Sequence, residues 1–335
     1  MTAFGGSVRS AAPLVAGVLM GSLGVGCAKQ REEPRPAVSA SPLGPSAAPA
    51  ESVAPVLLPA PVASGLPDPK GVSDTVNPRG EAAYAGPSGT VRGRVVVKGD
   101  PPPAQPTVLA KIPQTCGASA RDGYGKLFRE GPGRALADVL IAVTGFKGYV
   151  PERESVRRVV AKDCFYGTRT LALTYGQSIE VASGDKQTYI PELLGEKGQP
   201  QIVATPGGDT VAPLYPTHAG RYVLIDNLNL FMTAEVIVLK YATHAVTDLD
   251  GRFEITGIPA GDVHVNALLP AANLGAERTV KVEADKPTDE IVFELTFDKA
   301  QFDKALDGGA PAAPAASASG AAPRKAPKAA PAASR

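Results

Sequence analysis

From Gly89 onward the chain alternates apolar and polar positions over short stretches, and Gly, Pro, Asn or Asp closes each stretch. Thr90–Lys98 (TVRGRVVVK) is β-branched and stops at Gly99–Asp100–Pro101, and Val139–Val143 is an apolar run. Thr170–Thr174 and Ser178–Val181 flank a short turn, Tyr175–Gly176–Gln177, and Gly220–Ile225 and Glu235–Lys240 follow. Ala245–Thr247, Arg252–Thr256, Asp262–Leu268, Glu277–Glu283 and Glu290–Leu295 complete the series. Period-two alternation and short β-branched runs between turn formers predict strands. Many such strands without long helical periodicity predict an all-β chain built of sandwiches. Only Phe297–Leu306 has helical spacing, which predicts a short helix closing the end of the fold.

Outside this region the pattern disappears. Residues 28–88 and 308–335 are dominated by Ala, Pro, Ser and Gly, with few large side chains to bury. Such segments cannot offset the entropy of ordering. They predict a disordered, proline-stiffened tether and a disordered Ala/Pro/Lys tail over 307–335. At the start, Ala11–Val25 is apolar, follows a single positive side chain (Arg9), and ends at Gly26–Cys27. Its length suits the apolar core of a signal peptide over 1–26 better than a membrane span. A Cys at the end of such a run, before a polar linker, resembles the lipobox of bacterial lipoproteins. The resemblance implies a lipidated Cys27 at the head of the tether (27–88), although Leu23 stands four residues before Cys27 where the family has it three before. Ala28 is not the Asp that retains such proteins at the inner membrane in some bacteria. The expected location is the cell envelope, lipid-anchored to the outer membrane and facing the periplasm or surface.

Net charge is +1, so no electrostatic case exists for nucleic acid. Apart from Cys27, the cysteines are Cys116 and Cys164. In an exported chain an even pair within the folded part predicts one disulfide. A thiolate metal or redox centre is the alternative, but the CxxC spacing and a neighbouring His are missing. His218, His244 and His264 are the only histidines, and each reads as a solvent-facing residue. Asp248-x-Asp250-Gly251 has half of a calcium loop without the later Glu, so a hairpin turn is expected there.

The string AVTDLDGRFEITGIPAGDVHV places Thr247, Asp248, Gly251, Phe253, Ile255, Ile258, Pro259 and Gly261 in order. It resembles the carboxypeptidase regulatory-like, transthyretin-like β-sandwich, and GTVRGRVVVKGDPPP resembles the first strand of such modules. Together with Cys116–Gly117, Asp163–Cys164 and the closely joined strand Glu235–Lys240, the chain resembles a bacterial exported family. In that family a cupredoxin-like domain runs straight into a regulatory-like domain. The resemblance implies a cupredoxin-like β-sandwich over 89–242, followed by a smaller transthyretin-like sandwich over 243–306.

Copper-binding members carry an Asn-x-Asp-x-x-x-His string and a later Cys, His and Met cluster, because imidazole and thiolate fix a trigonal copper site with a weak axial sulfur. On this chain the first string falls on Ser183–Tyr189, with Asp185 matched and Tyr189 at the His position. The second falls on Ile225–Met232, with Ile225 at the Cys position, Leu228 at the His position and Met232 displaced by about one residue. The expectation is a degenerate site without metal or other cofactor, with Met232 in the core and Tyr189 packed with its hydroxyl at the rim. No phosphate loop, metalloprotease motif or nucleophile elbow occurs. The expected function is therefore non-catalytic. The chain would be a membrane-anchored binding or structural module, its partner an envelope protein or glycan met by the loops Tyr189–Gly208 and Pro213–Gly220. The alternatives are an electron-transfer or metal-handling protein of cupredoxin type, and an accessory component of an exported enzyme.

Overall fold

A computed structural model describes residues 67–195, 202–208 and 210–307. The signal-peptide stretch, Cys27, most of the tether, part of the Tyr189–Gly208 loop and the tail lie outside them. All described residues belong to the unit Pro59–Arg335.

The first element falls inside the stretch read as tether. Helix α1 (Pro69–Val76) begins with Pro at its first turn, and Asp68 accepts the Gly71 N–H at 2.9 Å. These are ordinary start signals, since Pro has no N–H to leave unpaired there and Asp caps a free donor. Val72 packs on Gly176, where an added Cβ would come within 2.6 Å of it. The tether therefore ends before residue 69 rather than at 88.

Strand β1 (Ser88–Gly99) buries Val91, Gly93, Val95 and Val97 on one face. Gly93 is required, since a Cβ there would lie 2.3 Å from the Ile291 carbonyl oxygen and 2.7 Å from the Phe253 ring. Two short helices, α2 (Pro106–Leu109) and α3 (Ala118–Tyr124), precede β2 (Leu140–Thr144). The chain then builds a second sandwich from β3 (Val156–Ala161), β4 (Thr170–Thr174), β5 (Ser178–Ser183), β6 (Pro191–Leu194), β7 (Ala212–Leu214), β8 (Gly220–Asp226) and β9 (Thr233–Leu239). It returns to the first with β10 (His244–Val246), β11 (Arg252–Pro259), β12 (Gly261–Leu269), β13 (Leu274–Val282) and β14 (Ile291–Phe297), and ends in α4 (Lys299–Asp307).

The sheets are β11-β1-β14 over β10-β2-β12-β13, and β3-β5-β7 over β4-β9-β8-β6. The described chain is thus all-β, as expected, but the strand partners cross the boundary expected at 242/243. β1 pairs antiparallel with β11 and parallel with β14, and β2 pairs with β10 and β12. The sandwich expected to be cupredoxin-like is therefore an insertion between β2 and β10 of a host sandwich, not a domain that precedes it. The cause is that the apolar faces of β1 and β2 find their complementary partners beyond residue 243.

Each sandwich has its own core. Val91, Val95, Phe128, Ile141, Phe253, Val265, Phe293 and Phe297 fill the host. Leu171, Leu173, Ile179, Tyr189, Leu214, Leu224, Met232 and Val236 fill the insert, and α2–α3 is packed onto it through Ile112, Cys116, Ala120 and Tyr124. A third apolar cluster joins the two sandwiches: Leu140 of β2, Ala172 of β4 and Ile237 of β9, with Leu239, Val246 and Leu268 against them. This contact explains why every residue of β4 is buried, including those that face away from the insert's core.

Candidate functional site

The expected disulfide is present: Cys116 and Cys164 are bonded, with Cα atoms 5.4 Å apart. It fastens the α2–α3 segment to the loop before β4.

The pole of the insert that the copper resemblance singles out is closed by its own hydrogen bonds. Tyr189 is packed in the core, as expected, but its hydroxyl is buried with it, a correction to the expected rim position of that group. Its hydroxyl donates to Asp185 Oδ2 at 2.8 Å and accepts the Cys164 N–H at 3.3 Å. Burial pushes the Tyr189 phenol well above the ordinary tyrosine range, and the neighbouring carboxylate adds to the shift. Burial opposes the charge on Asp185, yet N–H donors from Asp163 (2.7 Å) and Gln187 (2.8 Å), with the Tyr189 hydroxyl, hold its carboxyl below the usual range.

Asp226 also gathers N–H donors, from Ile190 and from the turn that follows β8. It is fully buried. Oδ2 accepts from Ile190 N at 2.7 Å, while Oδ1 accepts from Leu228 N (3.1 Å), Asn229 N (2.8 Å) and Asn229 Nδ2 (3.1 Å). These bonds fold Asn227–Met232 into a fixed turn. Met232 points into the core, as expected, and Ile225 is half-buried on β8, but Leu228 stands 57% exposed and Leu230 70%. Copper does not fit this set: Ile225 and Leu228 offer no donor atom, and the Tyr189 hydroxyl is committed to Asp185.

Two further clusters lie where the sandwiches meet, and sequence reasoning missed both. Asp138, just before β2, takes a bidentate pair from Arg129 at 2.6 and 2.6 Å, and also accepts from Thr168 Oγ1 and Arg169 N of the insert, each at 2.8 Å. The Arg129 guanidinium lies over the Phe165 ring at 5.1 Å. The second cluster is Glu152–Thr174–His244. The Thr174 hydroxyl donates to Glu152 Oε2 at 2.7 Å and lies 3.1 Å from His244 Nε2. Burial lowers the His244 pKa to about 4, partly opposed by Glu152. His244 is thus half-buried at the first position of β10, not in a solvent-facing turn. A cleft of about 180 Å³ opens beside it, lined by Glu152, Glu154, Arg157, Gln177 and His244. The pattern held one signal for the histidine, its place directly ahead of the apolar Ala245–Val246.

The three histidines do not converge. His218 is exposed before β8 with Nδ1 2.8 Å from the Tyr222 hydroxyl, and His264 is exposed on β12 beside Glu277 at 3.3 Å. No group of three or more metal-ligating side chains occurs among the described residues. Asp248 Oδ1 accepts the N–H groups of Asp250 and Arg252, each at 2.9 Å, and fixes the turn. The turn carries the chain from β10 in one host sheet to β11 in the other, so the hairpin expected there is corrected to a crossing between sheets.

No protein-family model matches the chain, and no curated protein matches it in sequence. Among solved structures it is similar to amicyanin. A reduced amicyanin mutant is 18% identical over 25% of this chain and 82% of that chain, with a TM-score of 0.23. Amicyanin from Paracoccus versutus is 21% identical over 30% of this chain and 97% of that chain, with a TM-score of 0.22.

Proposed function

We propose that the chain is a non-catalytic, lipid-anchored envelope protein that holds a binding surface away from the membrane on a proline-rich tether. The signal-like start, Cys27 and the tether motivate the anchor, and the regulatory-like resemblance of the host sandwich suits an accessory, non-catalytic frame. One observation carries the binding role. At the pole where a copper site would need imidazole, Leu228 and Leu230 are exposed on a turn whose backbone is fixed by Asp226. Rigid apolar side chains on a polar-fastened loop favour contact with a protein, because little ordering entropy remains to be lost on binding.

Two measurements test the reading. The wild-type chain should fractionate with membranes and Cys27→Ala should be released; a wild-type chain that is fully released refutes the anchor. A photo-crosslinker at position 230 should give a discrete adduct with an envelope protein, and Leu228→Asp should abolish it. Stoichiometric copper uptake by the full chain, lost in Met232→Leu, would instead support the metal-handling alternative.

A further inference from the structure

We infer that β13 is a self-association edge, through which two copies of this chain pair antiparallel and extend the host sheet. β13 is the outer strand of β10-β2-β12-β13 and pairs only with β12 among the described residues. It is nine residues long, and Glu277, Arg278, Thr279 and Lys281 are exposed. An unpaired edge of this length offers a row of backbone donors and acceptors to another strand.

The occupant is argued from charge. Two identical antiparallel strands related by a two-fold axis through the sheet place one residue opposite itself. Side-chain faces then allow only registers that shift in steps of one pivot residue. With Thr279 as pivot, Glu277 of each copy stands opposite Lys281 of the other, on the face that also carries Thr279. The neighbouring registers are unfavourable. A pivot at Arg278 sets Arg278 against itself, one at Glu277 sets Glu277 against itself, and one at Val280 sets Glu277 against Glu283. Opposite charges directly across a strand pair stabilise it and like charges destabilise it, so β13 is complementary to itself in one register. On β12, Asp262 stands beside Lys281 and His264 lies 3.3 Å from Glu277. The opposite face of β13 is already occupied: Leu274, Ala276 and Val280 pack on the host core, and Arg278 lies over Phe293 at 6.0 Å. A contact made by one strand is small, so a weak, concentration-dependent dimer is expected.

The test is charge exchange, read by sedimentation of the full chain over a concentration series. Wild type should dimerise. Glu277→Lys and Lys281→Glu should each weaken the dimer roughly tenfold or more, since each turns both cross-strand pairs into like-charge pairs. The double variant should restore it, and so should an equimolar mixture of the two single variants, because each supplies the charge the other lacks. Circular dichroism of each variant separates loss of pairing from loss of fold. A wild-type chain that sediments as a monomer throughout, or a dimer indifferent to both reversals, overturns the inference.

Discussion

Replacing Arg129 with Met should loosen the two sandwiches from one another as well as lower stability. The Arg129 and Asp138 side chains are only 10% and 4% exposed. Asp138 belongs to the host, but two of its four donors, Thr168 Oγ1 and Arg169 N, belong to the insert. Removing one partner of a buried pair costs about 3–5 kcal/mol, because the remaining charge keeps its desolvation penalty. Here Asp138 keeps those two donors, which argues for the lower end. The loss of the guanidinium from the face of Phe165 adds about 0.5–1 kcal/mol. The total is about 3–4 kcal/mol, or a fall in Tm of about 10 °C for a folded part of this size. Urea unfolding followed by tyrosine fluorescence and by far-UV circular dichroism measures both effects. In Arg129→Met the two probes should separate into two transitions, since the polar link between the cores is weakened while each core is intact. Asp138→Asn is the companion variant. Asp138 has φ 65°, which Asn tolerates, so that change removes the charge without straining the backbone. A cost below about 1 kcal/mol, with coincident transitions, would refute the view that this pair locks the sandwiches.

Three more outcomes follow from the geometry. Breaking the Cys116–Cys164 bond with paired Ser substitutions frees a loop with a sequence separation of 48, and calorimetry should show a loss of about 4 kcal/mol in the chain-entropy account. His244 is neutral in the fold down to about pH 4 but titrates near 6.5 when unfolded, so the unfolded state binds the extra proton between these values. Stability should therefore fall as pH drops from 6.5 towards 4, by roughly 3 kcal/mol in all, and His244→Gln should flatten that part of the profile in urea titrations. Thr247→Val removes the hydroxyl that accepts the Val139 N–H at 3.0 Å and donates to the Leu136 carbonyl at 2.7 Å. Chemical denaturation should register a loss of about 2–4 kcal/mol, because both backbone groups are buried.

What the sequence disclosed was local. The turn at Asp248–Gly251 could be read because Asp248, Gly251 and Phe253 act within a few residues of one another, but the strands on either side of it go to different sheets and form no hairpin. Gly251 has φ 71° and has no room for a Cβ, which would sit 2.4 Å from the Val95 carbonyl oxygen. Thr90–Lys98 was likewise legible as a strand from its β-branched alternation. Its pairing with Arg252–Pro259 did not show, since alternation tells which face of a strand is buried and not which distant strand covers it. Tyr189 was misplaced for a related reason. Its partner Asp185 is close in sequence, but whether the pair faces the core or the rim is decided by Cys164 and the disulfide behind it. The helix Pro69–Val76 was legible in Asp68–Pro69 and was hidden by the proline-rich composition around it.

The insertion has a consequence for the order in which the chain folds. Val143 and Thr243 stand 100 residues apart in sequence, yet the Thr243 hydroxyl donates to the Val143 carbonyl at 2.6 Å and the Val143 N–H returns a bond to Thr243 at 2.8 Å. β2 and β10 are thus the two arms of a hairpin whose loop has become a whole sandwich. Closing so long a loop while it is unstructured is slow, whereas a folded insert delivers both arms already side by side. The insert should fold first and act as the nucleus of its host, so that mutations in its core slow the folding of strands they never touch.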